Sequence, residues 1–200
     1  MIDMNTRIER EFEFQAGVYF DGRMLMNTYA VGLSMLVMTE SIPEQNIAMD
    51  RISYFLAESL ESCIFVKSTE KKVIEKYVAA DLKVSTLPEE PYDQIVSMLL
   101  LIKLNAITEK RLEVTDIRIT TKLSDGVSFL YDNEDAYGPF EQMGWWHESG
   151  TTIADLHKAQ NKKDKIVKLV NKANDWNECS LMWQEKHTKS SEIVFMTEDK

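Results

Sequence analysis

The run Met24-Leu25-Met26-Asn27-Thr28-Tyr29-Ala30-Val31-Gly32-Leu33-Ser34-Met35-Leu36-Val37-Met38 is the longest apolar stretch of the chain, and how it is read decides the architecture. Its interruptions are Asn27, Thr28, Gly32 and Ser34. At 15 residues it falls short of the roughly 20 that a bilayer-crossing helix needs. The turn pair Asp21-Gly22 precedes it, so the stretch predicts a helix over 22–39, apolar nearly all round and therefore central.

Working outward, residues 8–20 alternate, with Phe12, Phe14, Ala16, Val18 and Phe20 on one parity and Glu11, Glu13, Gln15 and Tyr19 on the other. That period of two predicts a half-buried strand. Downstream, Ser41 and Glu44 stand at capping-box spacing with Pro43 in the first turn, which predicts a helix over 42–61. Cys63-Ile64-Phe65-Val66 is β-rich and bounded by polar residues, as a buried strand is. A two-faced helix is predicted over 69–83, a loop over 85–91 around Pro88 and Pro91, and a second nearly all-apolar helix over 92–109.

From 112 the period returns to two. Ile117, Ile119 and Thr121 alternate with charged and polar neighbours, and Leu123-Ser124-Asp125-Gly126 leads to Val127, Phe129 and Tyr131, a hairpin pattern. Residues 132–150 are irregular; Thr152 and Asp155 open a helix predicted to run to about 176, and two strands are expected at 178–185 and 192–197. Elements in blocks rather than strict alternation predict an α+β fold, about five helices packed on a mainly antiparallel sheet of five to seven strands. Residues 1–200 are read as one compact domain, divisible if anywhere near 84–91 or 132–151.

Composition narrows the chemistry. The chain has 200 residues, 33 acidic and 23 basic, a net charge of −10 and 44% hydrophobic residues, enough to build a core and too many for general disorder. Two cysteines, Cys63 and Cys179, supply neither a disulfide framework nor a four-cysteine zinc site. No Walker or dinucleotide glycine string occurs, and no Gly-x-Ser-x-Gly, so no cofactor is expected. The start, Met1-Ile2-Asp3, lacks a basic region followed by an apolar core, which predicts no secretory leader, no membrane partner and a cytoplasmic setting.

Three stretches could carry function. Trp145, Trp146, His147 and Glu148 lie in the irregular loop and His157 follows, a set from which a His/carboxylate hydrolase site could be built. The spacing opposes it, because Asp155 and His157 are two residues apart on a predicted helix and diverge. The loop is better read as stapled by its tryptophans with its polar residues in solvent, and no metal set is assigned. Asp132-Asn133-Glu134-Asp135 begins like a calcium loop but has Tyr137 and Met143 where glycine and glutamate are required.

Residues 156–172 hold six lysines against one aspartate, a local +5 that leaves −15 on the remainder. Lys158, Lys162, Lys165 and Lys172 share one helical stripe. The stripe is read first as a solvated helix face whose lysines pair with the protein's own acidic surface; nucleic acid is a weaker candidate, since the stripe carries no arginine and the remainder would repel a duplex. The 11 methionines are read first as gap-filling core side chains on the apolar helices; the alternative is an adaptable interface, since two such helices carry more apolar surface than a small sheet covers. The sequence therefore predicts a non-enzymatic interaction or assembly protein, self-associating and part of a larger complex, such as a virus or phage accessory protein or an inhibitor of a host protein. Its partner is another protein or a second copy.

Overall fold

The computed structural model describes residues 6–125, 127–132 and 138–151. Along the chain run β1 (Arg7–Phe20), β2 (Arg23–Val37), α1 (Ile42–Tyr54), a π-helical turn (Phe55–Ser59), β3 (Cys63–Lys67), α2 (Lys71–Ala79), β4 (Val84–Leu87), α3 (Asp93–Thr108), β5 (Leu112–Thr121), β6 (Ser128–Asp132) and a 3₁₀ turn (Trp145–His147). The six strands form one mixed sheet in the order β4-β3-β1-β2-β5-β6. The β1–β2, β2–β5 and β5–β6 pairs are antiparallel; β1–β3 and β3–β4 are parallel. The α+β class is as expected.

The number of helices is not. Three α-helices stand among the described residues against an expected five. The helix expected at 152–176, like the strands at 178–185 and 192–197, lies outside them. The helix expected at 22–39 is instead β2, at the middle of the sheet.

The physical reason is a period of two in size rather than in polarity. Tyr29, Val31, Leu33, Met35 and Val37 are large and buried, while on the other parity Thr28, Ala30, Gly32 and Ser34 are small and face outward, ahead of Leu36. Asp21 (φ 48°) and Gly22 (φ 75°) both take the left-handed conformation that a two-residue type I′ hairpin requires. They therefore return the chain antiparallel, from Phe20 opposite Arg23 to Arg7 opposite Leu36.

A second correction concerns 85–91. Val84–Leu87 is a strand, parallel to β3, and Pro88 ends it rather than excluding it. The capping box at Ser41 is also not made: no side chain caps α1, and Glu44 pairs with Arg111 across to the start of β5.

Both α1 and α3 lie on one face of the sheet, over a core in which the Phe14 and Tyr29 rings stack at 4.9 Å and Phe65 meets Tyr29 edge-on at 6.0 Å. The apolar circumference of α3 is used within the chain, because Val96, Leu99, Leu100, Leu101, Leu104 and Ile107 are all buried. Its surface is thus not the uncovered remainder that the sequence suggested. On the opposite face α2 covers β3 and β4, through a small cluster of Ile64, Val66, Ile74 and Val84, and meets the end of β1 where Tyr77 packs edge-on against Tyr19. No described helix is long and apolar enough to cross a membrane.

Candidate functional site

The irregular loop is held from beneath by a residue that the motif search passed over. Lys103, in the apolar middle of α3, is 1% exposed, and its Nζ donates to the carbonyl oxygens of Trp145 at 3.0 Å and Glu148 at 2.7 Å. The ammonium also lies 5.4 Å from the Trp145 ring centroid and 5.9 Å from that of Phe55, within cation–π range. A lone lysine between Ile102 and Leu104, on a helix without a polar face, was the available signal, since such a position must be buried.

Around this anchor the tryptophans point inward. The Trp145 indole N–H donates to Thr86 O at 3.0 Å and ties the turn to β4, and the Trp146 N–H donates to Phe140 O at 3.3 Å. Phe140 and Trp146 meet edge-on at 5.3 Å, and both indoles are 9% exposed. The Trp146 ring lies against Gly144, where an added Cβ would come within 2.7 Å of Cε2. Because that neighbour is a packed ring, Gly144→Ala should displace it and cost about 1–3 kcal/mol. Urea unfolding followed by tryptophan fluorescence measures this; an unchanged midpoint and emission maximum would remove the ring-on-glycine contact from the account.

Of the proposed hydrolase residues, His147 ends the 3₁₀ turn with its ring 6.0 Å from that of Trp146, and its Nδ1 is buried without a hydrogen-bond partner among the described residues. The Glu148 side chain is exposed. His157, Lys158, Lys162, Lys165 and Lys172 lie outside the described residues. Among the described residues no three His, Cys, Asp or Glu side chains are grouped to hold a metal ion.

The larger surface feature is the outer face of β1, β2, β5 and β6. Strand pairing sets its residues in rows: Glu9, Ser34, Asp116 and Asp132; Glu11, Gly32, Arg118 and Leu130; Glu13, Ala30, Thr120 and Ser128. No described element packs over these rows. The small side chains of β2 make a floor, and the longer ones of β1, β5 and β6 rise beside it, leaving two shallow depressions of about 430 and 480 Å³.

Both signs of charge line this face: Glu9, Glu11, Glu13, Asp116 and Asp132 stand against Arg7, Arg10 and Arg118. Arg7 pairs with Asp116, while the Arg118 guanidinium lies over Gly32 and reaches Glu11 at 3.8 Å. Leu130 on the neighbouring edge strand is 71% exposed. The alternation of Glu11 and Glu13 was legible from sequence, but its meaning depended on β2 lying beside it.

Cys63, the thiol of the described residues, is fully buried in β3, and burial pushes its pKa from 9.0 up to about 12. What the outer face can do is present charge and a shaped, backbone-close floor to another macromolecule. No protein-family model matches this chain, and no curated protein matches it.

Proposed function

We propose that this chain is a non-enzymatic interaction or assembly protein that self-associates within a larger complex and binds through the outer face of its sheet. The observation that carries this reading is the face itself: four strands whose outer rows have no described covering layer, on a domain whose other face carries α1, α3 and the main core. A domain of two layers normally leaves such a face to solvent, and the small floor of Thr28, Ala30, Gly32 and Ser34 is what sets this one apart. Small side chains let a partner come close to the sheet, and the carboxylates around them give the approach an orientation.

The end of the sheet adds a second contact zone. Phe20, Met24, Leu25 and Met26 at the β1–β2 turn, with Tyr92, Leu123 and Val127 nearby, are all more than a third exposed. Four of these, Phe20, Met24, Met26 and Tyr92, are unbranched or aromatic side chains of the kind that adapt to protein surfaces.

Light scattering on the purified chain over a micromolar dilution series tests the reading. The mass should exceed that of one chain at the top of the series and fall on dilution. A strict monomer throughout, with no protein captured by the immobilised chain from its source, would overturn it.

A further inference from the structure

Most of the backbone edge of this sheet is guarded. Lys83 and Leu87 turn their carbonyls to the β3 side, so Thr86 of β4 faces outward, and its carbonyl takes the Trp145 indole N–H at 3.0 Å. Where β5 runs on past the end of β6, Asn105 of α3 stands in place of a strand. Its side-chain amide donates to Val114 O at 3.0 Å and accepts from Val114 N at 2.8 Å, and the Thr108 hydroxyl donates to Leu112 O at 2.7 Å. The part of β1 that β3 does not reach carries Glu9, Glu11 and Glu13, charges that blunt an edge against strand pairing.

The edge of β6 carries no such guard among the described residues. The Lys122 N–H donates to Thr28 O, so the even-numbered residues Asp116, Arg118 and Thr120 turn their backbone groups to β2, and Ile117 and Ile119 turn theirs to β6. Tyr131 and Phe129 are the residues opposite them, which leaves the N–H and C=O groups of Ser128, Leu130 and Asp132 pointing outward. The Leu130 side chain between them is 71% exposed, and Val127 just before the strand is 55% exposed.

An open backbone edge is matched by another extended strand, and the sequence of β6 matches its own. Run antiparallel about Leu130, Ser-Phe-Leu-Tyr-Asp sets Leu130 opposite the partner's Leu130, Phe129 opposite the partner's Tyr131 and Ser128 opposite the partner's Asp132. In that register the outward groups of all three residues are hydrogen-bonded, no charge faces a like charge, and the exposed leucine is covered. A slip of two residues either way leaves Ser128 or Asp132 without a partner in the facing strand. We propose that two copies of this chain join edge to edge through antiparallel β6 strands, so that their sheets and outer faces run together. The pairing gives the self-association proposed above, on which it rests, a surface and a partner.

A residue that faces itself across a two-fold axis allows a direct test. Leu130→Lys and Leu130→Glu each set like charges opposite one another and should each weaken self-association by about tenfold in sedimentation equilibrium, whereas an equal mixture of the two should associate again. The side chain is exposed and its backbone groups lie outside the β5–β6 ladder, so both variants should fold, which circular dichroism checks. Weakening in both without recovery in the mixture would put Leu130 against something other than itself and overturn the pairing. Amide exchange is a second arm: the Leu130 N–H should be protected at high protein concentration and exchange fast on dilution. Protection that ignores dilution would mean that the chain covers this edge itself, and the pairing would be wrong. Self-association untouched by either charge overturns it as well and leaves the interaction reading standing; a parent that is a strict monomer and binds no other protein overturns both.

Discussion

Lys103→Ala is expected to destabilise the protein by about 3–5 kcal/mol, the largest loss of any single substitution outside the aromatic core. Two effects combine. The Trp145 carbonyl keeps the backbone N–H of Glu148, but the Glu148 carbonyl loses the ammonium that it accepts from, and an unpaired carbonyl there costs about 1–3 kcal/mol. The departing side chain also leaves a cavity under the Trp145 and Phe55 rings. Lys103→Met separates the two, because it keeps most of the volume while still abandoning the carbonyls. It should cost less than alanine, about 1–3 kcal/mol. Urea unfolding gives both values, and Trp145 and Trp146 emission should shift to the red in each variant as the turn loosens from α3. An alanine variant as stable as the parent would mean that the turn is held by its tryptophans alone.

Lys103 also shows where sequence reading stops. The α3 pattern announced a helix without a polar face, and the structure agrees, but a charge on that face was absorbed into the apolar run instead of being read as a buried anchor. What a buried ammonium binds is set by chain segments more than 40 residues away, and no local window contains them. Conversely, the tryptophan-rich loop was conspicuous for its composition, and its two indoles face the protein's own interior.

β2 was misread for a different reason. Helix and strand patterns separate by polarity, and Met24 to Met38 has little polarity to separate; the deciding contrast was size, tyrosine and valine alternating with alanine, glycine and serine. Asp21-Gly22 held the answer, since a two-residue turn with both residues at positive φ joins two strands and not a strand to a helix. Once β2 is a strand, Glu9, Glu11 and Glu13 gain neighbours and the acidic stripe of β1 becomes one wall of a trough. The hairpin of β5 and β6 was legible because it obeys both signals, alternation and a turn, within one window. The parallel strand β4 was not, because only four residues long and followed by Pro88 it shows no period of its own.

Alkaline pH should begin to destabilise this protein near pH 9, before its lysines discharge, and Cys63 should set where the decline begins. Burial raises the thiol from 9.0 to about 12, so between those values the unfolded chain releases a proton that the folded chain keeps. The unfolded state then binds fewer protons, and stability must fall as pH rises, by about 1.4 kcal/mol per pH unit and about 4 kcal/mol across the window. Below pH 9 the contribution of this group is fully present. Tyr29 acts in the same direction at higher pH, because burial in the core raises its phenol as well. Urea unfolding at half-unit steps from pH 8 to 10.5 isolates the cysteine, in a Cys179→Ser background that removes the other thiol. Cys63→Ala lowers stability at every pH through its lost sulfur, yet its curve should be flat from pH 9 to 10 where the parent falls. The thiol should likewise react with a disulfide reagent only as fast as the protein unfolds. Equal slopes in the two proteins, or rapid labelling of the folded chain, would show that the thiol is open to solvent and that β3 is not the closed inner strand described here.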